Sequence, residues 1–125
     1  ELIESEIRED INIKDFRNNH IGIDIGPNTV SSFASILLSS KNIFWNGPMG
    51  VFEIDKFSKG TQEITEIIAK SSAYTCIGGG DSVSAINKFS NIQYFNHIST
   101  GGGASLEYLE GKKLPGVNIY NSLII

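Results

Sequence analysis

The chain has 125 residues, which is enough for one modest domain with an apolar core, and its composition is typical of a soluble globular protein. A formal net charge of -4 argues against a nucleic-acid partner, and no apolar run is long enough to span a membrane, so we expect neither partner. The only cysteine, Cys76, allows no internal disulfide, which favours a cytoplasmic location.

The first part of the chain predicts an arm, a strand, a helix and a second strand. Residues 1–15 are polar with interspersed isoleucines and predict a frayed helix or an arm, and their opening without Met indicates a piece of a longer protein. Residues 21–25 predict a strand, and Asn28 or Thr29 is expected to cap the helix that follows. One face of this helix carries regularly spaced apolar residues, namely Val30, Phe33, Ala34, Leu37 and Leu38. Residues 43–45 predict the second strand.

The rest of the chain continues the alternation of helices and strands. A helix with Ile64, Ile67 and Ile68 on one face ends near Lys70. Residues 73–77 predict a strand, a short helix begins at Ser82, and residues 92–98 predict a fourth strand. Leu106 and Leu109 mark a last helix that ends at Gly111, and a tail begins at Pro115-Gly116. Because the strands are continuous apolar runs, we predict an α/β fold: a three-layer, Rossmann-like parallel sheet with helices on both faces.

Every predicted strand ends in a turn that contains glycine. The carboxyl ends of parallel strands share one edge, where open α/β sheets bind ligands, so these turns should converge. They are residues 21–27, 46–50, 78–81 and 101–103. In Gly78-Gly79-Gly80-Asp81-Ser82, the glycines allow close approach to a ligand, the helix amides suit a phosphate, and Asp81 suits Mg²⁺. A plain tight turn between strand and helix is the alternative.

The glycine runs fit neither common phosphate-binding pattern. They lack the lysine of a P-loop, and the run at Gly78 lacks the last glycine of the dinucleotide fingerprint, so we expect a phosphate site of another kind. Cys76 lies inside an apolar strand, which favours core packing over a nucleophilic role.

Four longer motifs resemble those of the phosphoglycerate kinase family in order and spacing. They are Gly22-Ile23-Asp24-Ile25-Gly26-Pro27, Trp45-Asn46-Gly47-Pro48-Met49-Gly50-Val51-Phe52-Glu53, Gly78-Gly79-Gly80-Asp81-Ser82 and Ser99-Thr100-Gly101-Gly102-Gly103-Ala104-Ser105-Leu106-Glu107. The resemblance covers about residues 21–117. It implies that residues 1–125 are the C-terminal portion of a nucleotide-binding domain, with about 117–125 as a tail, and that the N-terminal substrate domain is absent.

The resemblance also implies residue roles. The adenine would be bound by Gly22 and Ile23, with Pro48 and Val51 on the pocket wall. Asn46 would lie near the phosphates, and Glu53 would accept hydrogen bonds from the ribose. The phosphates would be bound by Gly79, Gly80, Asp81 and Ser82. Asp81 would contact the metal, and the amides of Gly80 and Gly103 would stabilise the transferring phosphoryl group.

The family transfers a phosphoryl group reversibly between MgATP and the carboxylate of 3-phosphoglycerate. The resemblance therefore implies Mg²⁺ and ATP or ADP as ligands, 3-phosphoglycerate bound through the missing domain, and a monomeric full-length enzyme. A carboxylate acceptor is already ionised, so no general base is required. The isolated chain is predicted to be inactive. Two alternatives stay open: a non-catalytic nucleotide-binding or assembly module, and an α/β domain without a ligand.

Overall fold

A three-stranded parallel sheet organises residues 9–123, the part of the chain that this computed structural model describes. Its strands are β1 (Asn42–Asn46), β2 (Tyr74–Gly78) and β3 (His97–Ser99), in the order β1-β2-β3. Trp45 lies opposite Ile77 in β2, and Ile77 lies opposite Ile98 in β3. All three strands run in the same direction, so their carboxyl ends lie at one edge of the sheet.

Five α-helices connect and cover these strands. They are α1 (Pro27–Ser39), α2 (Lys59–Lys70), α3 (Gly80–Phe89), α4 (Gly102–Leu109) and α5 (Pro115–Leu123). Three short 3-10 helices complete the described elements, at Ile13–Asp15, Asp55–Phe57 and Ile92–Tyr94. Among residues 9–123, no helix combines the length and the apolar character that crossing a bilayer requires.

The core lies between one face of the sheet and helices α1 to α3. Alternate strand residues point into it, because successive side chains of a strand face opposite sides. The buried members include Ile43, Trp45, Ile64, Ile68, Ile77 and Ile86. On the opposite face, α4 and α5 line an apolar groove together with Phe44, Cys76 and His97. Helices therefore lie on both faces, which confirms the predicted fold class.

The predicted strand at residues 21–25 is wrong. This segment has irregular backbone, and its link to the neighbouring turn is one hydrogen bond, from the Val51 amide to the Ile23 carbonyl at 3.0 Å. The Asp24 carboxylate accepts the amide of Ile25 at 2.8 Å. A side chain that binds its own backbone in this way competes with the hydrogen bonds of a strand ladder, and this explains the irregular backbone.

The predicted strand at residues 92–98 is too long. Asn91 accepts the amide of Gln93 and caps a 3-10 helix, so the strand begins at His97. Asn96 then uses its side chain, not a ladder bond, to accept the Thr75 amide at 2.8 Å. Asn91 thus gives the Gln93 amide a local partner, and Asn96 gives a partner to the Thr75 amide 21 residues away, in place of the bonds that a longer strand would supply.

Three helix boundaries also differ from the predicted ones. Neither Asn28 nor Thr29 caps α1: the N-cap residue is Gly26, and the helix begins at Pro27, because the fixed φ of proline suits the first helical position. The helix expected from Ser82 begins two residues earlier, at Gly80. The expected tail from Pro115 is helical through Leu123, again with proline at the first position. Of the predicted arm, residues 1–8 lie outside the described part of the chain.

Candidate functional site

The ends of all three strands meet around Asn46. A Cβ atom on Gly79 would lie 2.7 Å from Asn46 Oδ1, and one on Gly102 would lie 2.8 Å from both Asn46 Oδ1 and the Gly79 Cα. The Gly79 amide also donates to the Ser99 carbonyl at 2.9 Å. Residues that are far apart in sequence therefore form one close-packed junction at the carboxyl edge of the sheet.

Two helix N-termini begin at this junction. Gly79 is the N-cap residue of α3, with a φ of 87°, and α4 starts at Gly102. The first amides of a helix have no carbonyl partner within the helix, and they carry the positive end of its dipole. No described heavy atom lies within 4 Å of a Cβ placed on Gly80 or on Gly103, and both residues are exposed. Such an open arrangement of amides favours an anion.

Asp81 and Ser82 occupy different environments in the first turn of α3. Asp81 is exposed, whereas Ser82 is fully buried and its Oγ accepts the amide of Gly47 at 2.7 Å. The Ser82 hydroxyl therefore joins α3 to the turn that follows β1, and its backbone amide is the group that belongs to the helix N-terminus. On the other side of that turn, Trp45 Nε1 donates to the Gly47 carbonyl at 2.7 Å.

The donor set around Asp81 fits Mg²⁺ shared with a phosphate. Among the described residues, no cluster of three or more His, Cys, Asp or Glu side chains is arranged to hold a metal. Mg²⁺ is commonly held by one or two carboxylates together with phosphate oxygens and water, and so needs no all-protein cage. A single exposed carboxylate beside open helix amides meets that requirement.

The residues assigned to adenine and ribose lie on two adjoining segments. Gly22 and Ile23 are on the irregular segment, and the amide of Val51 donates to the Ile23 carbonyl. Pro48 is half-buried in the turn after β1, and Glu53 is exposed at the end of the same stretch. The structure therefore brings the two segments into contact.

A cavity of about 520 Å³ lies beside Gly22 and Ile23, on the side of the arm. Its lining comes from residues 9–13, Phe16 and residues 21–29. Pro48, Val51 and Glu53 do not line it. The cavity therefore belongs to one of the two segments, and the surface shared with Val51 is separate from it.

Sequence reasoning assigned no role to Lys88, which holds the stretch around Glu53. Its Nζ donates to the Phe52 carbonyl at 2.9 Å and pairs with Asp55 Oδ1 at 2.6 Å. Its place near the end of a short helix was the available signal, but a partner 33 residues away cannot be read from helical spacing. Thr61, which accepts the amides of Met49 and Gly50, was missed for the same reason.

The fold and this junction define an α/β protein with a candidate anion site at the carboxyl edge of a parallel sheet. The family model described as phosphoglycerate kinase matches residues 2–112, and the chain therefore belongs to the phosphoglycerate kinase family. Phosphoglycerate kinase of Borrelia turicatae is 49% identical over an alignment of 123 residues, and the match covers 94% of this chain and 31% of the relative. The Finegoldia magna enzyme is 54% identical over 118 residues, with 94% and 30% covered.

Solved structures agree with this assignment. Phosphoglycerate kinase from Coxiella burnetii is 45% identical and superposes with a TM-score of 0.79, covering 87% of this chain and 28% of that one. The enzyme from Pyrococcus horikoshii is 44% identical, with a TM-score of 0.69 and coverage of 77% and 24%. The chain thus spans about a third or less of the length of the relatives that it matches.

Proposed function

We propose that this chain supplies part of the nucleotide and phosphoryl-transfer site of a phosphoglycerate kinase. The reaction is the reversible transfer of a phosphoryl group between MgATP and the carboxylate of 3-phosphoglycerate. The observation that carries the proposal is the junction of Asn46, Gly79 and Gly102, which sets the open N-termini of α3 and α4 side by side. Two such termini suit a group whose negative charge is spread over several oxygens.

The phosphate end of the site consists largely of backbone groups. The amides of Gly80 and Ser82 bind the nucleotide phosphates, with Asn46 beside them, and Gly79, whose own amide is bonded to the Ser99 carbonyl, contributes a backbone without a side chain that lets the phosphates come close. The amides of Gly80 and Gly103 stabilise the transferring phosphoryl group. Asp81 holds Mg²⁺, which supplies charge neutralisation on the phosphate oxygens. Because the acceptor is a carboxylate, alignment and charge stabilisation account for the catalysis without a general base.

The nucleoside end consists of two segments, which we call the adenine walls: Gly22 with Ile23, and Pro48 with Val51. The hydrogen bond between Val51 and Ile23 supports their placement on one pocket. Glu53 accepts hydrogen bonds from the ribose. The acceptor 3-phosphoglycerate is bound by the part of the enzyme that this chain does not cover, and the complete enzyme acts as a cytoplasmic monomer. The chain alone therefore transfers no phosphoryl group.

Titration of the purified chain with MgADP tests this proposal. We expect Asp81→Ala to weaken Mg²⁺-dependent binding about tenfold, because a charged ligand to the metal is lost. The control is Asp15→Ala, which removes an exposed carboxylate of the same charge from the 3-10 helix Ile13–Asp15. Equal MgADP affinity in the wild type and Asp81→Ala contradicts the metal assignment, and no binding by the wild type contradicts the nucleotide site.

A further inference from the structure

The first turn of α2 contacts both adenine walls. Thr61 is fully buried in this turn, and its Oγ1 accepts the amides of Met49 at 3.1 Å and Gly50 at 3.2 Å. One residue earlier, the Gly60 amide donates to Asp24 Oδ2 at 2.7 Å. The wall at residues 22–23 is therefore fixed through Asp24, and the wall at residues 48–51 is fixed through Thr61.

Asp24 is closely packed in this position. Its carboxylate occupies the space that a Cβ atom on Gly50 or on Gly60 would fill, so both positions require glycine for close approach. Its Oδ1 also accepts the Ile25 amide, so each carboxylate oxygen has a backbone donor. Side chains that contact three separate segments in this way fix the distances among them.

Asp24 also supplies what α2 lacks at its N-terminus. The N-cap residue Ser58 makes no side-chain capping bond, and the first turn contains no acidic residue. A carboxylate from outside the helix that accepts a first-turn amide satisfies an orphan donor and favours the helix dipole. The helix start and the adenine walls therefore depend on the same side chain.

We propose that Asp24 and Thr61 are positioning residues that set the spacing between the two adenine walls through the first turn of α2. This inference rests on the proposed nucleotide function. Neither side chain touches the nucleotide. Asp24 aligns the carbonyl of Ile23 with the amide of Val51, and Thr61 holds the turn from which Val51 projects. Phosphate binding at α3 and α4 does not pass through this turn.

The test compares a complete nucleotide with a ligand that lacks the nucleoside. MgADP and magnesium pyrophosphate are titrated into the chain and into Asp24→Asn, Asp24→Ala, Thr61→Val and Thr61→Ser. We expect Asp24→Ala and Thr61→Val to weaken MgADP about tenfold, because buried backbone donors lose their partners. Pyrophosphate affinity should stay within about twofold, since the open amides are unchanged. Thr61→Ser keeps the hydroxyl and should bind like the wild type.

Asp24→Asn separates charge from shape, because the asparagine side chain has almost the same size as aspartate. Its NH2 group places a donor against the backbone amide of either Gly60 or Ile25. It should weaken MgADP in the same direction while remaining folded. If every variant loses both ligands equally, the two side chains act on overall stability and the positioning role is wrong. Unchanged MgADP affinity in folded Asp24→Ala also overturns it.

Hydrogen exchange gives a readout that does not depend on nucleotide binding. The Val51 amide should exchange faster in Asp24→Ala and Asp24→Asn, and the Val83 amide inside α3 should not. If the wild type binds neither ligand, the proposed nucleotide site is wrong. Protection at Val51 then decides the positioning role by itself, and unchanged protection in both variants contradicts it.

Discussion

The chain contains two Gly-Gly-Gly runs, and the structure uses them differently. The first, residues 78–80, leads from β2 into α3, whose Ala85 and Ile86 are fully buried. The second, residues 101–103, leads from β3 into α4, which the structure describes in full and which has no fully buried residue. The first run is thus fixed by the core, whereas the second rests on the first.

The individual glycines of the two runs also have different reasons to be glycine. Gly79 has a positive φ of 87°, a backbone conformation that residues with a Cβ atom adopt only with strain. Gly102 has helical backbone but lies against the Gly79 Cα, where a Cβ atom would come within 2.8 Å. Gly80 and Gly103 border open space. The same three letters therefore specify a turn at one position, a close approach at another, and access for a ligand at a third.

The largest effect is expected from Gly79→Ala. The substitution adds the strain of positive φ and places a methyl group 2.7 Å from Asn46 Oδ1. We expect the free energy of unfolding to fall by about 2 to 3 kcal/mol, measured by urea denaturation. Gly111→Ala is the matched control, because Gly111 has a φ of 79° and no described atom within 4 Å of its Cβ position.

The difference between these two variants reports the contact with Asn46 together with the backbone conformation of Gly79, whose ψ of 146° lies outside the left-handed helical region. Gly111→Ala should lose about 1 kcal/mol, from backbone strain alone. If both variants lose the same free energy of unfolding, the Asn46 side chain moves aside at no cost. The junction is then less tightly packed than its distances indicate.

A smaller loss of stability is expected from Gly102→Ala. Its methyl group meets backbone, which cannot rotate away, so α4 must shift relative to α3. Because α4 buries little, we expect a loss of about 1 kcal/mol in the free energy of unfolding. The free energy of MgADP binding should weaken by more than this loss of stability, because the two helix N-termini move apart. Titration and urea denaturation of the same preparation compare the two losses, and equal losses would contradict the proposed cooperation of the termini.

Regular spacing of apolar residues predicted how a helix packs, whereas the contacts of a single polar side chain could not be predicted in this way. Helical spacing placed Ile64, Ile67 and Ile68 on one face of α2, and the structure buries Ile64 and Ile68 and half-buries Ile67 against the core, because burial of one helix face leaves a regular pattern. The failure at residues 21–25 came from Asp24, whose side chain binds local amides in place of a ladder partner. Composition alone does not distinguish such a carboxylate from a solvated one.

The candidate site was predictable by residue type and not by side-chain direction. The glycine turns were expected at one edge of the sheet, and Gly79 and Gly102 do lie together there. Ser82 was assigned to phosphate, yet its hydroxyl is buried against Gly47, which lies 35 residues away in sequence. Long-range partners such as Gly47, and Gly60 for Asp24, depend on the crossover connections of the sheet. Local patterns do not contain that information.

The smallest effect on stability, and the most direct test of the proposed site, comes from Gly80→Ala and Gly103→Ala. Neither new methyl group meets a described atom within 4 Å, so the free energy of unfolding should change by less than about 0.5 kcal/mol. Both methyl groups would lie beside the open amides, where an approaching phosphate oxygen needs the space. We therefore expect MgADP binding to be severalfold weaker in variants that are as stable as the wild type.

Gly116→Ala, also without a described neighbour, is the control, because it lies in the first turn of α5, a different helix from those that form the junction. Unchanged affinity in both site variants would mean that the phosphates bind elsewhere, whatever the packing of Gly79 against Gly102.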